Sequence, residues 1–501
     1  MSFFVLMFAL AAVIFNLTLP IMAGVYIVSD LGGSSFLSAY GVCFFCLGNA
    51  ITVPLGKPTM MPLKPIQMLL SCLVLMALIS WECATATDYL NFIFFRFLEG
   101  LASGPLYLLI SVTLFPRVIS PERQSRLLPY LFIVFSFTPV LGASWGGWIA
   151  YSYHWRFLFF SNIPICVFLI AYALMEFDDE EQNAPIAFDG LGYAWYAMMI
   201  FCLGTALITG QELDWFRSNL IGFLFIAGTL CTVLFVVESL NSPSPVMDLR
   251  MFGNFYFSFA MINIAILFMI YFGMVILLAL WLKLYVNYTP NWIALIIGTM
   301  AFGAWIPILL HHKPMDPRIP LAIALLFFCI SSFYTMTFNV EINFNRIAFS
   351  RILAGFGLAL FLPPLFRISV QNFSGKYSVE AINTFHIIRL VSSGIGAALF
   401  IILWQRRQVF YYERLGSKLT VFSQSTQTFF KQAGQINLYG EKALAQLNVY
   451  LTRQATALAL DDCFYLMGWI SLGLLLMLAL SIYPLKRRFG LPFRSKDAAN
   501  A

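Results

Sequence analysis

The sequence predicts an all-α integral membrane protein of fourteen transmembrane helices, built as two six-helix bundles with two extra central helices. Three observations predict it. Of the 501 residues 60% are apolar and only 10% charged, whereas a soluble globular chain carries about 25% charged residues. The apolar residues form continuous runs of about 20, the length a helix needs to cross a bilayer, and not the alternating ten-residue strands of a transmembrane barrel. These runs recur from Phe3 to Pro484, so the bulk of the chain is expected in lipid.

Taken in order, the first six spans fall near 3–28, 35–56, 66–86, 91–115, 127–151 and 156–175. The first is too long for a signal-peptide core and has no basic residue before Lys57, so it reads as a retained span. An acidic stretch follows with Glu176, Asp178, Asp179, Glu180 and Glu181, and 176–189 is expected to be a solvated cytoplasmic linker. Two extra spans lie near 190–210 and 218–240. Six more follow near 255–282, 290–310, 319–338, 346–370, 381–404 and 464–484. The units are therefore an N-terminal bundle (1–175), the linker (176–189), the extra pair (190–240), a C-terminal bundle (251–484) and a basic cytoplasmic tail (485–501).

Lys and Arg in short connectors favour the cytoplasmic side. With the N-terminus inside, the inner loops carry Lys57, Lys64, Arg117, Arg123, Arg126, Arg250, Lys313, Arg318 and Lys376, while outer loops hold few, such as Arg217 and Lys283. Both termini are expected in the cytoplasm. Topology thus accounts for the net charge of +6, and no basic face for nucleic acid is predicted. The long connector 405–462 falls outside. Within it Leu444, Leu447, Leu451, Ala455 and Leu458 recur at helical spacing, which suits either docking of a partner or packing back onto the bundle. The nine Cys lie in or beside apolar runs. The Cys43/Cys46 pair lacks a second pair or a nearby His, so core thiols, no metal and no cofactor are expected.

An internal repeat links the halves. Span four contains Arg96 through Gly100 to Pro105, and span twelve contains Arg351 through Gly355 to Leu360, each Arg followed four residues later by Gly. Span five carries Gly142, Gly146 and Gly147, and span thirteen carries Gly394 and Gly396. Such parallel repeats suit alternating access.

An ionisable residue inside a span costs about 2.5–3.5 kcal/mol on insertion scales and points to function. Arg96 and Glu99 share one face of span four; Arg351 lies in span twelve; His386 and Arg389 repeat the three-residue spacing at the start of span thirteen. A buried carboxyl beside an arginine is poised between its protonated and ionised forms, and a substrate competing for the arginine would tip it. Glu99 is therefore a candidate proton carrier, although a static ion pair fits the same residues. Arg96 cannot shed its charge and must meet a carboxylate, a carbonyl or an anionic substrate. His386, at a span edge, also fits a plain interfacial position. Phenylalanines such as Phe132, Phe135 and Phe137 suit either an apolar cavity or lipid contact. No GxSxG, HExxH or P-loop pattern occurs, so an enzyme is not expected.

Several stretches together carry a resemblance: Asn16 to Pro20, Arg96 to Pro105, Pro139 to Trp148, Tyr153 to Pro164, Gly210 to Phe216, Tyr271 to Gly273, and Phe385 through Arg389 to Arg407. Over nearly its whole length the chain resembles the EmrB-like, fourteen-helix drug/proton antiporters of the major facilitator superfamily. The resemblance implies a bacterial inner-membrane exporter that moves hydrophobic or amphipathic compounds outward against protons, working with a periplasmic membrane-fusion adaptor and an outer-membrane channel. It implies Asn16 and Phe135 at a substrate cavity, Gly142, Gly146 and Gly147 on the antiporter-motif helix, and Arg406, Arg407 and Arg453 in an adaptor-facing loop. The chain departs from the family at Ala11, where an acidic residue is usual, and at Glu99, where Gln is usual. Ala143 replaces the Pro of the glycine motif, and the basic loop motif shrinks to Gly56 to Lys64. Glu99 is expected to take over the carboxylate role lost at position 11. Two other functions fit the departures: a dedicated exporter of one metabolite such as a siderophore, and a non-transporting membrane scaffold or sensor.

Overall fold

The computed structural model describes residues 2–119, 121–176, 188–311 and 315–482. Among them there is no strand. The acidic stretch beyond Glu176, the basic tail, Lys313 and the side chains of Arg123 and Arg126 lie outside the described residues.

The first predicted span is two helices, α1 (Ser2–Thr18) and α2 (Pro20–Asp30), bent by 44°. Pro20 explains the bend, since it offers no N–H to the preceding turn and its ring crowds that turn's carbonyl. α3 (Tyr40–Thr52) and α4 (Pro65–Thr85) follow. α5 (Tyr89–Ser103) is capped by Asp88, whose carboxylate accepts from the Asn91 N–H at 2.9 Å. It runs on through α6 (Pro105–Leu108), a π turn and α7 (Phe115–Val118) as one crossing. α8 (Pro121–Ser152), α9 (Arg156–Phe160) and α10 (Asn162–Glu176) complete the first half.

The extra pair is α11 (Gly190–Thr209) and α12 (Asn219–Asn241). The second half comprises α13 (Phe255–Leu284), α14 (Pro290–Gly298), α15 (Ile306–His311), α16 (Arg318–Thr335), α17 (Phe344–Val370), α18 (Lys376–Gly416), α19 (Gln424–Gln435) and α20 (Gly440–Ile482). Twelve helices among the described residues are long and apolar enough to cross a membrane, or thirteen with the bent pair. The span predicted at 290–310 is occupied by α14, a 3-10 turn and α15.

The connector 405–462 holds the helix that the spacing of Leu444 to Leu458 predicts, and more helix besides. α18 continues to Gly416 and α20 already begins at Gly440, so the segment is a helical hairpin with α19 near its tip. The sequence marks where lipid ends by where polarity begins. A helix satisfies its own backbone and need not stop there.

Within the first half α1 packs on α8, and α5 packs on α3 and α4; within the second α13 packs on α18, and α16 on α17 and α20. The extra pair sits at the periphery: only 28% of the α12 span is buried, against 83% for α13. Glycines set the closest approaches. A Cβ at Gly146 would lie 2.0 Å from the Leu19 carbonyl oxygen, and one at Gly396 2.5 Å from Met269 Cα, so each fifth helix presses on the first helix of its own half. The same helices also cross between halves. Gly147 faces Ala294 and the Pro290 carbonyl of α14, and Gly394 faces Cys43 and Cys46 of α3.

Candidate transport site

The first buried charge cluster lies wholly inside the first half. Arg96 Nη1 donates to Glu99 Oε2 at 2.6 Å and to Asn16 Oδ1 at 3.0 Å. Its Nη2 donates to the Asn16 carbonyl at 3.0 Å and its Nε to the Gly41 carbonyl at 3.3 Å. Glu99 also accepts from Asn16 Nδ2 at 2.5 Å, from the Ser80 hydroxyl and, weakly, from Cys83 Sγ at 3.6 Å. Phe45 covers the guanidinium at 4.2 Å. Arg96, Glu99 and Asn16 are all 0% exposed. Asn16, expected at the substrate cavity, bridges Arg96 and Glu99 and does not line the cavity between the halves.

The repeat-related Arg351 is equally buried but meets no carboxylate among the described residues. Its Nη2 donates to Thr335 Oγ1 at 2.8 Å and Ser350 Oγ at 2.9 Å, Phe464 lies 5.5 Å away, and Nε and Nη1 have no partner.

A cavity of about 250 Å³ opens between α7–α8 of the first half and α17–α18 of the second. Its walls are apolar, led by Leu131, Phe132, Phe135, Leu362 and Phe366, and its polar groups come from Ser111, His386 and Arg389. Phe135, His386 and Arg389 are thus brought together, while Asn16, Arg96, Glu99 and Arg351 do not line this space. His386 is only 2% exposed, its ring 5.6 Å from both Tyr107 and Phe135. The interfacial position that sequence allowed it does not hold, because the first turns of α18 face the opposite half.

Sequence reasoning missed one pair. Lys57 Nζ donates to Glu380 Oε1 at 2.8 Å and to the carbonyls of Pro245 at 3.1 Å and Val246 at 2.9 Å. It ties the loop after α3 to the start of α18 and to the segment following the extra helices. Burial pulls the Lys57 ammonium below the ordinary lysine range, opposed by the charge of Glu380. The basic loop motif singled out Lys57; nothing in the sequence singled out Glu380.

At the far end Arg406 donates to Gln211 at 3.0 Å, Arg407 pairs with Asp462 and reaches Tyr411 at 3.3 Å, and Arg453 is half-buried. Two of the three arginines expected to face an adaptor therefore hold the hairpin to itself and to the loop between α11 and α12. All nine cysteines are buried and free, and no metal-binding group occurs among the described residues.

Two repeat-related helical halves, buried charges within them and a cavity where they meet define a polytopic membrane transporter. The chain belongs to the Major Facilitator Superfamily, which residues 4–315 match. It is 26% identical to the multidrug export protein EmrB of Haemophilus influenzae, covering 94% of this chain and 92% of that protein. It is 25% identical to the EmrB of Escherichia coli over 96% and 93%, and 25% identical to the fatty acid resistance protein FarB of Neisseria gonorrhoeae over 92% and 90%. Among solved structures it is similar to a POT family transporter bound to a thioalcohol-conjugated peptide, with a TM-score of 0.61 and 12% identity over 96% and 95% of the two chains. A bacterial Spinster homologue in an inward-facing, occupied conformation gives 0.59 and 12% over 96% of each. At such identity these two speak for the fold alone.

Proposed function

We propose that the chain is a secondary exporter of hydrophobic and amphipathic compounds, driven by proton antiport. It lies in the bacterial inner membrane with both termini cytoplasmic, and its outer hairpin meets a periplasmic adaptor that leads to an outer-membrane channel. The halves 1–175 and 251–484 rock about their junction. The observation that carries the reading is the apolar cavity at that junction with two ionisable side chains in its wall, His386 and Arg389. The names of the relatives, multidrug export and fatty acid resistance, support the same substrate class.

Glu99 is the proton carrier in this reading. Its side chain is held by Arg96, Asn16, Ser80 and Cys83. A rocking motion that draws Arg96 away removes the one contact among these that a cation makes. The test is transport in vesicles under an imposed ΔpH. Wild type is expected to accumulate a lipophilic dye, and Glu99→Gln, which keeps the size of the side chain but cannot carry a proton, is expected to lose ΔpH-driven accumulation while thermal unfolding reports that it still folds. Full accumulation by Glu99→Gln would remove Glu99 from the mechanism.

A narrower cargo is a second reading. A volume of about 250 Å³ lies below the usual range of roughly 300–1,000 Å³ for small-molecule pockets, which favours compact substrates in this conformation.

A further inference from the structure

We propose that the cavity between the halves is a site for amphipathic organic anions, in which Arg389 takes the carboxylate and the aromatic wall takes the tail. This rests on the export reading and narrows its substrate class.

Arg389 is 3% exposed and lines the cavity. Its Nε has no hydrogen-bond partner, and its side chain meets His386 Nδ1 only at 3.5 Å, the long limit of a hydrogen bond, and lies beside the Tyr107 hydroxyl. No carboxylate pairs with it among the described residues. Instead its guanidinium lies over three rings, Phe135 at 4.8 Å, Tyr107 at 5.0 Å and Phe268 at 5.6 Å. Ring faces offset part of the desolvation of the cation, yet they accept none of its planar N–H donors. A guanidinium satisfies these donors best with a carboxylate, two bonds at once. The buried cations Arg96 and Lys57 already have one, and Arg351, which has none, does not line the cavity; Arg389 is the buried cation with an open space in front of it.

The placement sorts the ligand by shape as well as charge. Arg389 stands thirteen residues into α18, about 20 Å from its start at 1.5 Å per residue. Ile382, Phe366, Phe115 and Leu128 lie nearer the helix ends. A ligand therefore enters past apolar side chains and buries its charged end deepest. An organic cation would meet Arg389 in a low-dielectric wall with no counter-charge, which selects against it.

The full chain in detergent, with no gradient present, tests this by equilibrium binding of radiolabelled octanoate, competed by octanamide or octyltrimethylammonium. Octanoate is expected to bind, with both competitors about tenfold or more weaker, the effect of one charged hydrogen-bonded contact. Arg389→Met is expected to lose the preference for octanoate over octanamide, and Arg389→Lys to keep part of it. Because Arg389 has no acidic partner, its removal orphans no buried charge and the variant is expected to fold, as an unchanged thermal transition would report. Equal binding of octanoate and octyltrimethylammonium by wild type, or an undiminished octanoate preference in Arg389→Met, would overturn the anion site. Failure of the export reading looks different: octanoate binds with the expected preference, but no cargo moves under ΔpH.

Discussion

The Arg96 and Arg351 sites are one piece of architecture built twice with opposite electrostatics. Each arginine sits on the fourth helix of its half, fully buried, four residues before a glycine that meets the second helix. Each is covered by a phenylalanine from the sixth helix, Phe159 at 5.4 Å and Phe464 at 5.5 Å. Three residues on, the first half has Glu99 and the second has Ala354. Around Arg96 every nitrogen finds an acceptor; around Arg351 only hydroxyls of Ser350 and Thr335 answer, and two nitrogens go without. The repeat preserves the packing and drops the carboxylate, so whatever proton is carried by this motif is carried by the first half.

The largest expected effect comes from treating the two arginines alike. Arg96→Met takes the cation out of the buried cluster with Glu99, Asn16 and Ser80, a loss of about 3–5 kcal/mol for a broken buried pair. Arg351→Met removes an unpaired cation and is expected to leave stability unchanged or raised. Thermal unfolding of the two purified variants in one detergent measures the difference, and equal losses would break the comparison. The glycines are expected to behave symmetrically where the charges do not. A Cβ at Gly100 would sit 2.3 Å from the Phe45 oxygen and one at Gly355 2.2 Å from the Met300 oxygen. Gly100→Ala and Gly355→Ala should therefore each cost about 1–3 kcal/mol through overpacking. Gly222→Ala, where nothing lies within 4 Å, is the neutral control in the same unfolding assay.

The helical spans and the repeat were legible because lipid leaves few alternatives: long apolar runs must be helices, and Arg followed by Gly recurs at the same place in each half. Arg96 and Glu99 were legible as a pair because three residues on a helix fix their proximity. Phe135 with His386 and Arg389 was not legible as one site, since α8 and α18 meet only through the packing of the halves. The pairing of Asn16 with Arg96 and Glu99 was not legible either, since α1 and α5 also meet only through packing. The start of α20 was legible in the spacing of Leu444 to Leu458, but the continuation of α18 to Gly416 was not, because helix length outside lipid is not written in hydropathy. Lys57 and Glu380 are 323 positions apart, and each alone reads as an ordinary charge near a membrane surface.

That pair gives the smallest and most conditional effect, because it crosses between the halves that the arginine sites lie within. An opening of the inner ends exposes Lys57 to water and restores its ordinary affinity for a proton, whereas the closed arrangement holds that proton less tightly. The closed form then binds fewer protons than the open one in the alkaline range below the ordinary lysine value of 10.5. Linkage makes closure more favourable as pH rises through that window. A cysteine at Ile382, two residues from Glu380 and in the cavity wall, reports closure by its alkylation rate. The nine native thiols are buried and contribute little background. Relative to a Lys57→Met background, which cancels the pH dependence of the thiol itself, alkylation is expected to slow as pH is raised. Combining Lys57→Glu with Glu380→Lys should slow it again toward the wild-type rate. A ratio flat with pH would mean that Lys57 stays buried throughout the cycle, leaving the rocking motion to occur without parting this pair.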